Sequence, residues 1–93
     1  MKVRIAETAL GDLRRIAETI ADYDDDLAEG IIEYLKGLTL EIGRGPRLYS
    51  PVLGRQTIRK RRAAPYLILY EVCTDHILIL RIVHERSDWM SLV

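Results

Sequence analysis

The stretch Tyr66-Leu67-Ile68-Leu69-Tyr70-Glu71-Val72-Cys73-Thr74-Asp75-His76-Ile77-Leu78-Ile79-Leu80-Arg81-Ile82-Val83-His84-Glu85-Arg86-Ser87-Asp88-Trp89 holds the key to the fold. Two apolar runs of strand length flank a short polar turn, Cys73 to His76, and so read as adjacent antiparallel strands. With Thr74-Asp75 at the centre of the turn, Val72 is expected opposite Ile77, Tyr70 opposite Ile79 and Ile68 opposite Arg81. One face of the ribbon then carries Tyr66, Ile68, Tyr70, Val72, Ile77, Ile79, Arg81 and Val83. The other carries Leu67, Leu69, Glu71, Leu78, Leu80, Ile82 and His84. A charged tail leaves the second strand, a common place for working residues in a small α+β domain.

Upstream, residues 2–6 alternate weakly and read as a short strand. Ala9, Leu13, Ile16, Ala17, Ile20 and Ala21 recur at helical spacing, with Asp12, Arg14, Arg15, Glu18 and Asp22 mostly on the opposite side. Thr8 is the expected N-cap. The helix is expected to stop near Tyr23-Asp24-Asp25-Asp26, and Asp26 with Glu29 resembles a capping box for the next. Those acids read as a capped, solvated turn, not a metal site. Leu27, Ile31, Leu35, Leu38 and Ile42 carry the second apolar stripe, ended by Gly43-Arg44-Gly45-Pro46. Residues 47–54 read as a loop. Residues 56–62 read as a cationic edge strand, with Ile58, Lys60 and Arg62 on one side and Thr57, Arg59 and Arg61 on the other. The expected fold is α+β, in the order β-α-α-β-β-β. An N-terminal strand and an α-helical hairpin precede a three-stranded antiparallel sheet, all within one domain spanning residues 1–93.

A helical hairpin covers only one sheet face. The opposite face, with Leu67, Leu69, Leu78 and Leu80, is a larger apolar patch than a soluble monomer usually exposes. Either another polypeptide covers it, a partner or a second copy, or the chain's own loop 43–54 or tail folds over it.

Composition bounds the remainder. At 93 residues and 48% apolar the chain can build one core without disulfide or metal. A single cysteine, Cys73, suits a reducing compartment. The N-terminus lacks the apolar run of a secretory signal, and nothing approaches the ~20 apolar residues of a membrane span. A cytoplasmic, soluble protein without cofactor is expected. The zero net charge hides segregation. The segment through Ile42 is acidic, whereas Arg44, Arg47, Arg55, Arg59, Lys60, Arg61 and Arg62 meet no acid between Gly43 and Arg62. Such a basic segment suits an anionic partner, nucleic acid or acidic protein.

One combination of features is familiar. It comprises Asp12-Leu13 and Ile16 in the first helix, a second helix, Pro51 and Gly54, Arg59, then Tyr66-x-x-x-Tyr70-x-Val72 and Val83-His84-x-Arg86-x-Asp88. Across nearly its whole length the chain resembles the ParE/RelE superfamily of toxins from bacterial type II toxin–antitoxin modules, closer to ParE than to RelE. The resemblance implies a toxin neutralised by a cognate antitoxin, as a heteromer or with self-association. RelE-like members are ribosome-dependent ribonucleases that carry an arginine directly after the first tyrosine of that motif; ParE-like members are associated with poisoning DNA gyrase. Here that position is Leu67, which can neither donate a proton nor stabilise a phosphate. Gyrase is thus the expected target, the ribosome and mRNA the alternative, and an inactive toxin-fold binding module a third reading. Arg55, Arg59, Arg61, His84, Arg86 and Trp89 are the candidate target-binding residues. For a ribonuclease, His84, Arg86, Arg59 and Arg61 would supply the acid–base cluster. Leu67, Leu69, Leu78 and Leu80 are the candidate antitoxin-binding residues. His84 can equally be a strand-end residue bonded to backbone or to Asp88, and Trp89 either a packing anchor or a hot spot.

Overall fold

A computed structural model describes residues 1–93. Strand β1 (Lys2–Ile5) leads into helices α1 (Glu7–Ala21) and α2 (Asp25–Arg44). Strands β2 (Ser50–Val52), β3 (Arg55–Ala63), β4 (Tyr66–Val72) and β5 (His76–His84) follow, and a 3₁₀ turn, Trp89–Leu92, ends the chain. The sheet has five strands in the order β1-β5-β4-β3-β2, with the helical hairpin on one face. It is mixed, because β1 runs parallel to β5 while the other pairs are antiparallel. The expected three-stranded core is present. β1 extends it on one side, and on the other β2 occupies part of the segment expected to be loop. Gly54, at φ +81, makes the tight β2–β3 turn that a side chain would strain. No helix is long and apolar enough to cross a membrane.

Helix ends depart from expectation in instructive ways. Asp24, not Asp26, caps α2, its carboxylate accepting from Leu27 N–H at 3.0 Å. Once the cap moves, Ala28 takes the buried first-turn position and Leu27 is left half exposed. Ala6 stands at the N-cap of α1 and makes no side-chain cap bond, because the Thr8 hydroxyl donates instead to Leu80 O at 2.9 Å. Gly43 lies where α2 crosses β1; an ideal Cβ there would sit 2.7 Å from Met1 O and 2.8 Å from Val3 Cγ2. Only glycine allows that approach.

The hairpin of β4 and β5 begins as expected, Val72 opposite Ile77 and Tyr70 opposite Ile79. Leu80 is then an extra residue: Leu69 pairs with Arg81 and Ile68 with Ile82, correcting the expected Ile68–Arg81 pair. A bulge advances the register by one and so exchanges the faces of everything beyond it. Ile82 joins the core under the helices and Val83 the opposite face, the reverse of uninterrupted alternation.

The main core lies between helices and sheet, around Leu13, Leu35, Ile42, Ile68, Tyr70, Ile77 and Ile79. Tyr70 is fully buried, with its hydroxyl donating to Pro46 O. Burial drives its phenol pKa up.

Candidate functional site

Past Ile79, β5 has lost its neighbour β1, and its outer edge runs beside α1. Unpaired strand groups buried against a helix need partners, and α1 provides them. Thr8 takes Leu80 O, and Asp12 accepts from Ile82 N–H at 2.9 Å. The Arg81 guanidinium adds two bonds to the Asp12 carboxylate, both at 2.9 Å, and Arg15 pairs with it from above. Asp12 is only 5% exposed. Burial pushes its carboxyl up, but the bonds from Arg81 and Ile82 N–H and the charges of Arg81 and Arg15 outweigh this and hold it below the usual range. Asp12 therefore departs from the polar side expected of α1 and is a buried structural clasp.

The candidate target-binding residues scatter. Arg59 donates to Tyr49 O at 2.7 Å, and Arg61 to Leu38 O at 3.0 Å and Glu41 at 2.7 Å, its guanidinium 4.8 Å from the Tyr49 ring centre. Both point to the helix side and secure the 46–49 loop and the end of α2. Arg55 secures the tail, donating to Val93 O at 3.0 Å and Met90 O at 3.3 Å. At the end of β5, exposed His84 accepts from Arg86 N–H through Nδ1 at 3.1 Å and stands edge-on to Tyr66, ring centres 6.2 Å apart. It is bonded to backbone and not to Asp88. Arg86 is exposed and makes no ion pair. The acid–base cluster of His84, Arg86, Arg59 and Arg61 is not assembled, because Arg59 and Arg61 are engaged on internal carbonyls.

The opposite sheet face holds a second cluster of Val52, Ile58, Leu67, Leu69 and Val83, under Trp89, Met90 and Val93. Leu69 is 0% and Leu67 7% exposed. The chain's own tail thus closes over two of the four expected antitoxin contacts; Leu78 and Leu80 are half-buried. Trp89 packs here as an anchor, with Lys60 5.9 Å from its ring centre.

Beside that tail a cleft of about 430 Å³ is lined by Leu48, Tyr49, Ser50, Lys60, Arg62, Leu67, Glu85 and Trp89. Lys60, Arg62 and Glu85 are not among the candidate residues read from the sequence, although the alternation of β3 already set Lys60 and Arg62 together, apart from Arg59 and Arg61. Arg62 donates to Glu85 at 2.9 Å and so keeps that carboxyl below its ordinary range. Lys60 and Arg62 suit the cleft to anionic or polar surface, yet no imidazole lines it to relay a proton at neutral pH. Nowhere do three His, Cys, Asp or Glu side chains converge as metal ligands.

Comparison with known proteins bears on the fold and the family. The family described as the ParE toxin of the type II toxin–antitoxin system parDE matches residues 3–89. No curated protein matches the chain. Among solved structures, the chromosomal ParDE toxin–antitoxin system of P. aeruginosa superposes with TM-score 0.79 at 16% identity, over 90% of this chain and 95% of that one. A RelBE toxin–antitoxin complex of Mycobacterium tuberculosis gives 0.61 at 22% identity, over 89% and 95%. A conserved hypothetical protein of Helicobacter pylori gives 0.55 at 16% identity, over 94% and 97%. At such identities these structures share the fold.

Proposed function

Since this chain belongs to the ParE toxin family of type II toxin–antitoxin systems, we propose that it inhibits DNA gyrase by binding it and is neutralised by a cognate antitoxin. The observation that carries this reading is the disposition of cations. Arg55, Arg59 and Arg61 hold internal carbonyls. The position where ribonuclease relatives would carry an arginine is Leu67, buried under the tail. What remains outside, Lys60, Arg62, Arg86 and the exposed His84, suits docking better than proton transfer. The antitoxin partner is supported by the two neighbouring structures, each of them a toxin–antitoxin system. Purified toxin is expected to block supercoiling of relaxed plasmid by gyrase, and Lys60→Glu or Arg86→Glu to weaken the block. Undiminished supercoiling at stoichiometric excess of toxin would remove gyrase as the target.

One observation favours a second reading. The cleft of Lys60, Arg62 and Glu85 beside Trp89 is cationic and aromatic, a composition that suits an RNA strand. A ribosome-dependent endonuclease would cut mRNA at discrete positions on stalled ribosomes, and His84→Ala or Lys60→Ala would abolish the cuts. An intact message in that assay dismisses it.

A further inference from the structure

Where the end of β5 meets α1, a depression of about 250 Å³ shares no residue with the cleft beside Trp89. Three elements give it polar groups: Arg15 from α1, Tyr66 from β4, Arg81 and His84 from β5. Asp12 is the one acid that lines it. Its Oδ1 accepts from Arg15 and from Arg81 Nη2, and its Oδ2 from Arg81 Nε and Ile82 N–H. Two bonds at each oxygen fill the acceptor capacity of a carboxylate. The guanidiniums are not filled: Arg81 keeps Nη1, and Arg15 keeps Nε and Nη1. Two of them against one carboxylate leave one positive charge in excess. His84 accepts the Arg86 N–H at Nδ1. A neutral imidazole that accepts at Nδ1 carries its proton on Nε2, so the second ring nitrogen is a donor in either protonation state. Tyr66 stands edge-on to that ring and adds a hydroxyl. No buried side-chain polar atom lacks a partner, so these spare donors reach solvent.

We propose that this depression binds the phosphate group of a small phosphate monoester. Charged and neutral donors drawn from three elements, with a surplus positive charge, match the oxygens of a tetrahedral dianion. A planar carboxylate has one oxygen fewer and half the charge, and so satisfies fewer of them. The volume lies below the roughly 300–1,000 Å³ of sites for drug-sized ligands, which leaves room for little beyond a sugar attached to the phosphate. The Asp12 clasp then acts twice. It closes the edge of β5, and by holding Arg15 and Arg81 together with its own lone pairs spent it turns an acid-bearing corner into an anion receptor. The site is separate from the target-binding cations of the other cleft and does not depend on which target the toxin takes.

The test titrates ribose phosphate, adenosine monophosphate and acetate against the intact protein, followed by calorimetry and by the ring-proton resonances of its two histidines. Both esters are expected to displace the signals of His84 and to leave those of His76, at the far end of β5, in place. Tighter binding of the nucleotide identifies a nucleotide as the ligand, and equal binding a sugar phosphate. Arg15→Gln is expected to weaken binding about tenfold and Tyr66→Phe about threefold, with circular dichroism unchanged. Arg14→Gln removes the same charge one residue away, outside the depression, and is expected to leave binding as it was. Equal losses in Arg14→Gln and Arg15→Gln would mean diffuse attraction and overturn the proposal. Acetate binding as tight as that of the esters would also overturn it, as would His84 signals unmoved by either ester at about 50 mM.

Discussion

The two halves of β5 are consecutive in one strand and are held by different means. From His76 to Ile79 the strand lies between β1 and β4, with backbone bonds on both edges and Ile77 and Ile79 sealed under the helices. From Leu80 to His84 only β4 remains. The free edge is closed by side chains of α1: Thr8 on Leu80 O, and Asp12 on Ile82 N–H and the Arg81 guanidinium. A sheet edge can thus be completed by a helix, provided the helix supplies both an acceptor and a donor at the right turn. The first half depends on hydrophobic burial, the second on a buried ion pair.

The largest expected effect comes from the half held by the ion pair. Asp12→Ala is expected to cost about 4 kcal/mol in urea unfolding, because it leaves the Arg81 guanidinium and Ile82 N–H unpaired against the helix. Adding Arg81→Met should recover much of that loss. Ile77→Ala, in the burial-dominated half, costs about 3 kcal/mol through its cavity and should gain nothing from Arg81→Met.

Acid separates the halves in another way. The Asp12 carboxyl titrates lower when folded than when unfolded. Its stabilisation is therefore fully present above the unfolded value near ~3.9 and is lost as pH falls through the lower folded value. Asp12→Asn is expected to unfold over a narrower range of ΔG between pH 5 and 2 than the parent, as followed by urea midpoints. The smallest effect belongs to Thr8→Val, which removes one hydroxyl bond to Leu80 O and is expected to cost about 1 kcal/mol.

Much of this architecture is legible in the residues. Apolar period gives both helices, and the polar interruption at Cys73–His76 gives the hairpin together with its first two pairs. The bulge is not legible, because Leu80 is as apolar as its neighbours and alternation continues through it without a mark. The burial of Asp12 escapes for a related reason. Helical spacing sets it beside Leu13 and close to the apolar stripe, but the need for a carboxylate arises from β5, some seventy positions later in the chain. β2 and the parallel pairing of β1 are likewise tertiary decisions, since neither segment is long enough to declare itself. In β3 the alternation separates Lys60 and Arg62 from Arg59 and Arg61. Which pair faces the helices depends on the packing of Tyr49 and the end of α2, and alternation alone does not show it.

The parallel pairing of β1 with β5 has a consequence for synthesis. The opening strand has no partner until His76–Ile79 has been made, so the helical hairpin is synthesised before the strands it will rest on. During that interval its apolar underside is uncovered. A product of interrupted translation lacks the strand that joins beginning to end, and so never carries the finished sheet. Whatever depends on the closed sheet is thereby reserved for chains translated past Ile79.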